Sequence, residues 1–163
     1  MLRYVFAVMA TLFLPLLGTA QCLTTRAPNP PFLPRAPYQV DAPTKMFWYG
    51  TDRLWTALVS DGKWHMRNNV MKGKGYRTKL TFWRRGFDWR TEAEPKLVVV
   101  ATRLDGDAPK LIMAPVNVVF IPSREAAGIM TGIDIPSAGC WEVTAQYGGP
   151  GGHSLTFVVS VEP

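Results

Sequence analysis

The most constraining stretch of this chain is its last, Asp134 to Glu162. It reads D-I-P-S-A-G-C-W-E-V-T-A-Q-Y, then G-G-P-G-G, then H-S-L-T-F-V-V-S-V-E. Trp141, Val143, Ala145 and Tyr147 share one face of an extended strand, opposite Cys140, Glu142, Thr144 and Gln146. Leu155, Phe157, Val159 and Val161 repeat the period of two after a five-residue Gly/Pro loop. The pattern predicts a β-hairpin with one buried face. A lone hairpin is marginal in water, so a second apolar layer has to cover it.

The rest of the chain supplies that layer. In order, the expected strands are Met46 to Gly50, Arg53 to Ser60, Lys63 to Met66, Lys79 to Arg85, Lys96 to Leu104, Val116 to Ile121 and Ile129 to Ile135. Asp61-Gly62 and Asp105-Gly106 read as turns, 67–75 as a polar loop, and Ser123 to Ala127 as one helical turn. Lys96 to Leu104, with V-V-V at its centre, is the strongest candidate for a central strand. No helical period runs over eleven or more residues. Fourteen Gly and fourteen Pro in 163 residues suit short strands and turns. The expected fold is all-β, an antiparallel immunoglobulin-like β-sandwich of about 7–9 strands over residues 46–163.

Residues 1–20 read as an export signal. Arg3 precedes an apolar run from Tyr4 to Leu17, and Gly18-Thr19-Ala20 offers small residues for cleavage before Gln21. The run is short of the ~20 residues of a membrane span, so no transmembrane segment is expected after its removal. Cys22 follows the cleavage point, which raises a lipid anchor as an alternative. The residue before it, Gln21, is not the small one a lipobox wants, so soluble export, periplasmic or extracellular, is preferred. Residues 21–45 hold six prolines and read as a semi-stiff spacer. In an exported chain the two cysteines, Cys22 and Cys140, invite a disulfide. The alternative is two free thiols.

The segments W-Y-G-T-D-R-L-W (48–55), F-W-R-R-G-F-D-W-R (82–90), R-L-D-G-D-A-P (103–109) and P-S-A-G-C-W-E-V-T (136–144) carry a resemblance. Together they resemble a family of small exported bacterial proteins of unassigned function, with an immunoglobulin-like terminal hairpin. The resemblance implies a fold and a compartment, and carries no catalytic residue across.

Catalytic and metal motifs are sparse. His65 and His153 are the only histidines, and neither stands near a recognisable nucleophile motif. Asp105 and Asp107 suit a turn better than a calcium loop. His65, Met66, Met71 and His153 are a thin set for copper, and Cys140 for thiol chemistry. No catalytic residue, cofactor or metal ligand is assigned.

The charge balance is +6, which favours anionic partners without implying a reaction. Its densest source is the basic and aromatic segment 63–90, where Trp64, Arg67, Tyr76, Trp83, Arg84, Arg85, Trp89 and Arg90 form the candidate ligand surface. Such a set can stack on sugar rings or grip an anionic glycan. The structural alternative puts the rings in the core and pairs Arg84 and Arg85 with Asp88, Glu92 or Glu94. Three functions are weighed. The first is a non-enzymatic interaction or structural module of the bacterial cell envelope, with an envelope protein as partner. The others are a carbohydrate- or polyanion-binding module and a copper- or thiol-handling factor. Export makes nucleic acid a poor expectation.

Overall fold

The computed structural model describes residues 21–39, 41–65, 75–113, 117–121 and 126–163, without the side chains of Ile112 and Ile121. These residues form ten strands: β1 (Met46–Thr51), β2 (Leu54–Val59), β3 (Lys63–His65), β4 (Tyr76–Trp83), β5 (Leu97–Arg103), β6 (Leu111–Met113), β7 (Asn117–Ile121), β8 (Ala126–Ile135), β9 (Gly139–Tyr147) and β10 (His153–Glu162). One sheet has the order β1-β2-β4-β8-β7 and the other β3-β10-β9-β5-β6. The fold is a β-sandwich.

The terminal hairpin forms in the expected register. Trp141 faces Val159 and Val143 faces Phe157 across the ladder. All four of these side chains are buried. Opposite them lie Leu54, Leu58, Leu80 and Phe82, with Ile129, Ile133 and Ile135 of β8. The β-branched residues of β8 recur at every second position, which suits a pleated inner face.

Four elements differ from expectation. The Asp61-Gly62 turn does not close a hairpin. It carries the chain from one sheet to the other, where β3 pairs in parallel with the end of β10. Strand β4 begins at Tyr76, three residues before the expected start. Strand β5 lies inside its sheet between β9 and β6, as expected of a central strand, but only one of its faces is covered, and Val98 on the other is 44% exposed. Strand β6 is short and flanked by Pro109 and Pro115, so three residues gave no readable period. Of the helical turn expected at Ser123 to Ala127, Ala126 and Ala127 belong to β8 and the remainder lies outside the described residues, as do 67–74 of the expected loop.

The proline-rich segment departs most. It pairs with no strand as a ladder, as its prolines require, yet it lies on the body as a strap. Thr25 bonds both backbone groups of Val158 on β10, its N–H to the carbonyl at 2.9 Å and its hydroxyl oxygen to the N–H at 2.8 Å. The strap then reaches the outer face of the other sheet. There Trp48, Trp55, Ala57 and Ala126 form a second apolar cluster closed by Tyr38, with Phe32, Ala42 and Trp83 packed against it. Tyr38 stands edge-on to Trp55 at 4.8 Å between ring centroids, and Phe32 at 5.8 Å. Strand β2 is therefore buried on both faces.

Candidate functional site

Two junctions each gather several polar side chains. At the first, Cys22 and Cys140 are joined in a disulfide, with Cα atoms 5.4 Å apart. Cys140 projects from β9 opposite Trp141, and the strap's first residues cover it. The turn after β5 braces the same point. Asp105 accepts from Arg103 Nε at 2.8 Å and from the Cys140 N–H at 2.9 Å. Those donors, the guanidinium first, hold its carboxyl below the usual carboxylate range. Arg103 also donates to Ser137 Oγ at 3.1 Å. Gly139, with φ +141°, must be glycine here, because a Cβ would come within 2.8 Å of Asp105 Oδ1. The two segments R-L-D-G-D-A-P and P-S-A-G-C-W-E-V-T thus meet in one latch.

The second junction lies beyond the end of β4. Arg84 and Tyr147 both donate to the Glu92 carboxylate, one to each oxygen. The Arg84 guanidinium lies over the Tyr147 ring at 4.7 Å and the Phe87 ring at 5.7 Å. Tyr38 of the strap donates its hydroxyl to the Arg84 carbonyl at 2.7 Å. Burial, then the hydrogen bond to Glu92, pushes the Tyr147 hydroxyl up to about 12. A phenol that holds its proton more tightly in the folded state stabilises the fold fully below ~10, the ordinary tyrosine value, and this contribution is lost as pH rises from there to about 12. Absorbance titration at tyrosinate wavelengths should therefore show a late step near 12 that disappears in Tyr147→Phe. A Tyr147→Phe titration identical to that of the parent would contradict the assignment.

The candidate ligand surface is dispersed by these contacts. Trp64 is in the core against Phe157, with ring centroids 6.3 Å apart. Tyr76 packs on the same core, and Trp83 is set edge-on to Trp48 at 5.2 Å under the second cluster. Arg67 lies outside the described residues. Arg84 pairs with Glu92, one of the partners expected for it, whereas Arg85 turns to Asp52 at 3.8 Å. Trp89 and Arg90 stay at the surface, the guanidinium 4.8 Å above the ring. Trp89 also meets Phe120 of β7 at 5.8 Å, where Phe120 sits across from the core residue Ala127. These two rings form a rim to the core, tilted by 56° to each other.

Comparison with protein-family models, curated proteins and solved structures returns no match to this chain. The site has to be read from its own geometry.

No group of three or more His, Cys, Asp or Glu is placed to hold a metal ion among the described residues. His65 lies beside Glu162 at one end of β10, and His153 opens the other end. The strand's length, on the order of 30 Å, separates the two imidazoles. Met66 and Met71 lie outside the described residues. Both described cysteines are in the disulfide, so the reduced Cys140 that thiol chemistry needs is missing. Among the described residues no helix is long and apolar enough to cross a membrane.

Sequence reasoning overlooked Arg35, Asp52 and Arg53. Asp52 and Arg53 form the two-residue tip of the β1–β2 hairpin, whose last pair is Thr51 with Leu54. Arg35 is brought to the same tip by the strap, 3.7 Å from Asp52. The available signal was the T-D-R turn followed by a strand apolar on both faces, L-W-T-A-L-V, which announces a cover over β2.

Proposed function

We propose that this protein acts outside the cytoplasm as a non-enzymatic interaction module, soluble and closed at its N-terminus by a disulfide. The observation that carries the reading is the Cys22–Cys140 bond itself. Disulfides persist in oxidising compartments, and this one starts two residues past the expected cleavage point, Ala20 to Gln21. A sulfur held in a disulfide has no valence left for the thioether of a lipid anchor, which favours soluble export. The export signal and the resemblance to small exported bacterial proteins point the same way. So does the immunoglobulin-like assignment of the sandwich, with one departure. Here the disulfide ties the strap to one sheet, whereas antibody domains join their two sheets.

A non-enzymatic role is supported by how the reactive side chains are engaged: Glu92 with Arg84 and Tyr147, Asp105 with Arg103, and both cysteines with each other. The test is fractionation of a bacterial host expressing the full chain, followed by non-reducing peptide mapping. The reading expects a mature N-terminus at Gln21 and a Cys22–Cys140 peptide in the exported fraction. Free thiols in a cytoplasmic product, or a lipid on Cys22, would overturn it.

A further inference from the structure

We propose that the groove between the strap and the tip of the β1–β2 hairpin is a binding site for an acidic saccharide, read by Arg35, Arg53 and Arg85. The groove has a volume of about 630 Å³ and is walled by Phe32 and Leu33 on one side and Thr51, Asp52 and Arg53 on the other, with Arg35 at its mouth. It is wide open to solvent, so it suits a ligand laid along the surface rather than one engulfed. Among the described residues, Asp52 is the only carboxylate lining it. Arg35 Nε and Arg85 Nη1 lie 3.7 and 3.8 Å from the same oxygen, Asp52 Oδ2. Those lengths exceed a hydrogen bond, so Asp52 leaves the guanidinium donors unsatisfied. Their side chains are 73% and 64% exposed, and pairs so exposed are weak enough for a ligand to displace. Arg53 makes no ion pair among the described residues. Two guanidinium groups therefore share one carboxylate, with Arg53 lining the groove beside it, and their planar forks suit a carboxylate or sulfate group gripped through two oxygens.

The apolar wall specifies the remainder of the ligand. Leu33 is 55% exposed and Phe32 half-buried, so a body with C–H faces beside its charge fits better than a bare anion. The backbone that carries these cations is also positioned in advance. Tyr38 takes the Arg35 carbonyl with its N–H at 3.1 Å and the Arg84 carbonyl with its hydroxyl, while its ring is seated on Trp55. The Arg85 N–H donates to the Asp52 carbonyl at 2.8 Å. Strap, hairpin tip and the turn after β4 are held together, and binding orders little that is loose. The choice of a saccharide over a nucleic acid rests on the export reading. The presence of an anion site does not.

The experiment is calorimetric titration of the purified, disulfide-bonded mature protein with a heparin octasaccharide and with an oligogalacturonate, against neutral maltooctaose. At least one acidic ligand should bind at low salt and weaken as salt rises, with maltooctaose silent. Arg35→Ala combined with Arg53→Ala should weaken binding at least tenfold. Arg77→Ala, at an arginine on β4 tied to Asp134, should change it by less than twofold. Asp52→Asn should tighten binding, a gain that a structural role for the groove would not produce. No binding of either acidic ligand would overturn the proposal, as would equal losses for Arg77→Ala or Arg90→Ala. Because the titration uses purified protein, a failure here leaves the fractionation result standing, and the reverse holds too.

Discussion

Cys22→Ser and Cys140→Ser, together or singly, lower the free energy of unfolding by about 4–5 kcal/mol, the chain-entropy figure for a loop of this length. The bond spans 118 positions of sequence, almost the whole described chain. Its loss frees the unfolded ensemble far more than the folded one, since Thr25 on Val158 and the rings on Trp55 still hold the strap in place. The measurement is urea unfolding of the oxidised protein with and without a reductant, with the two serine variants alongside. The oxidised midpoint should be the highest, and reductant should leave the variants unmoved. A reduced protein as stable as the oxidised one would contradict the prediction.

Trp55→Ala costs about 3–5 kcal/mol, the range for removing a large buried ring from a close-packed site. The residue is 1% exposed although it faces away from the sandwich interior. Its cover is the strap: Tyr38 and Phe32 lose their seat when the indole goes. The substitution therefore has a second signature that a change within the main core, such as Phe157→Ala, would not share at equal stability loss. Trypsin should cut at Arg26 and Arg35 at lower urea than the body's own unfolding. Destabilisation without early cleavage of the strap would contradict the seating described above.

How much of this was legible depends on the kind of signal. The hairpin from Gly139 to Glu162 was readable because eight of its residues alternate onto a single apolar face, and alternation is a local property. The pairing of β3 with β10 in parallel was not, since three residues carry no direction and Asp61-Gly62 is compatible with either a hairpin or a crossing. The strap was misread for a physical reason. Proline content reports an extended backbone without ladder partners, and that description fits a free spacer and a segment laid on a surface equally well. What distinguishes them is Phe32 and Tyr38 among the prolines together with the two-faced β2, a relation between distant parts of the chain. The candidate ligand surface shared that limit. Trp64 and Trp83 are drawn inward by neighbours that spacing does not reveal, and Arg85 finds its partner in Asp52, thirty-three positions upstream. Arg84 was legible as a paired residue because Glu92 lies close in sequence.

The most direct test of the account is a nuclear Overhauser measurement between the Tyr38 ring and the Trp55 indole in the oxidised mature protein. With centroids 4.8 Å apart edge-on, the account predicts strong cross-peaks and an indole shielded from solvent. Absent cross-peaks with a solvent-exposed Trp55 indole would mean that the strap does not lie on the body, and the closed module described here would be contradicted.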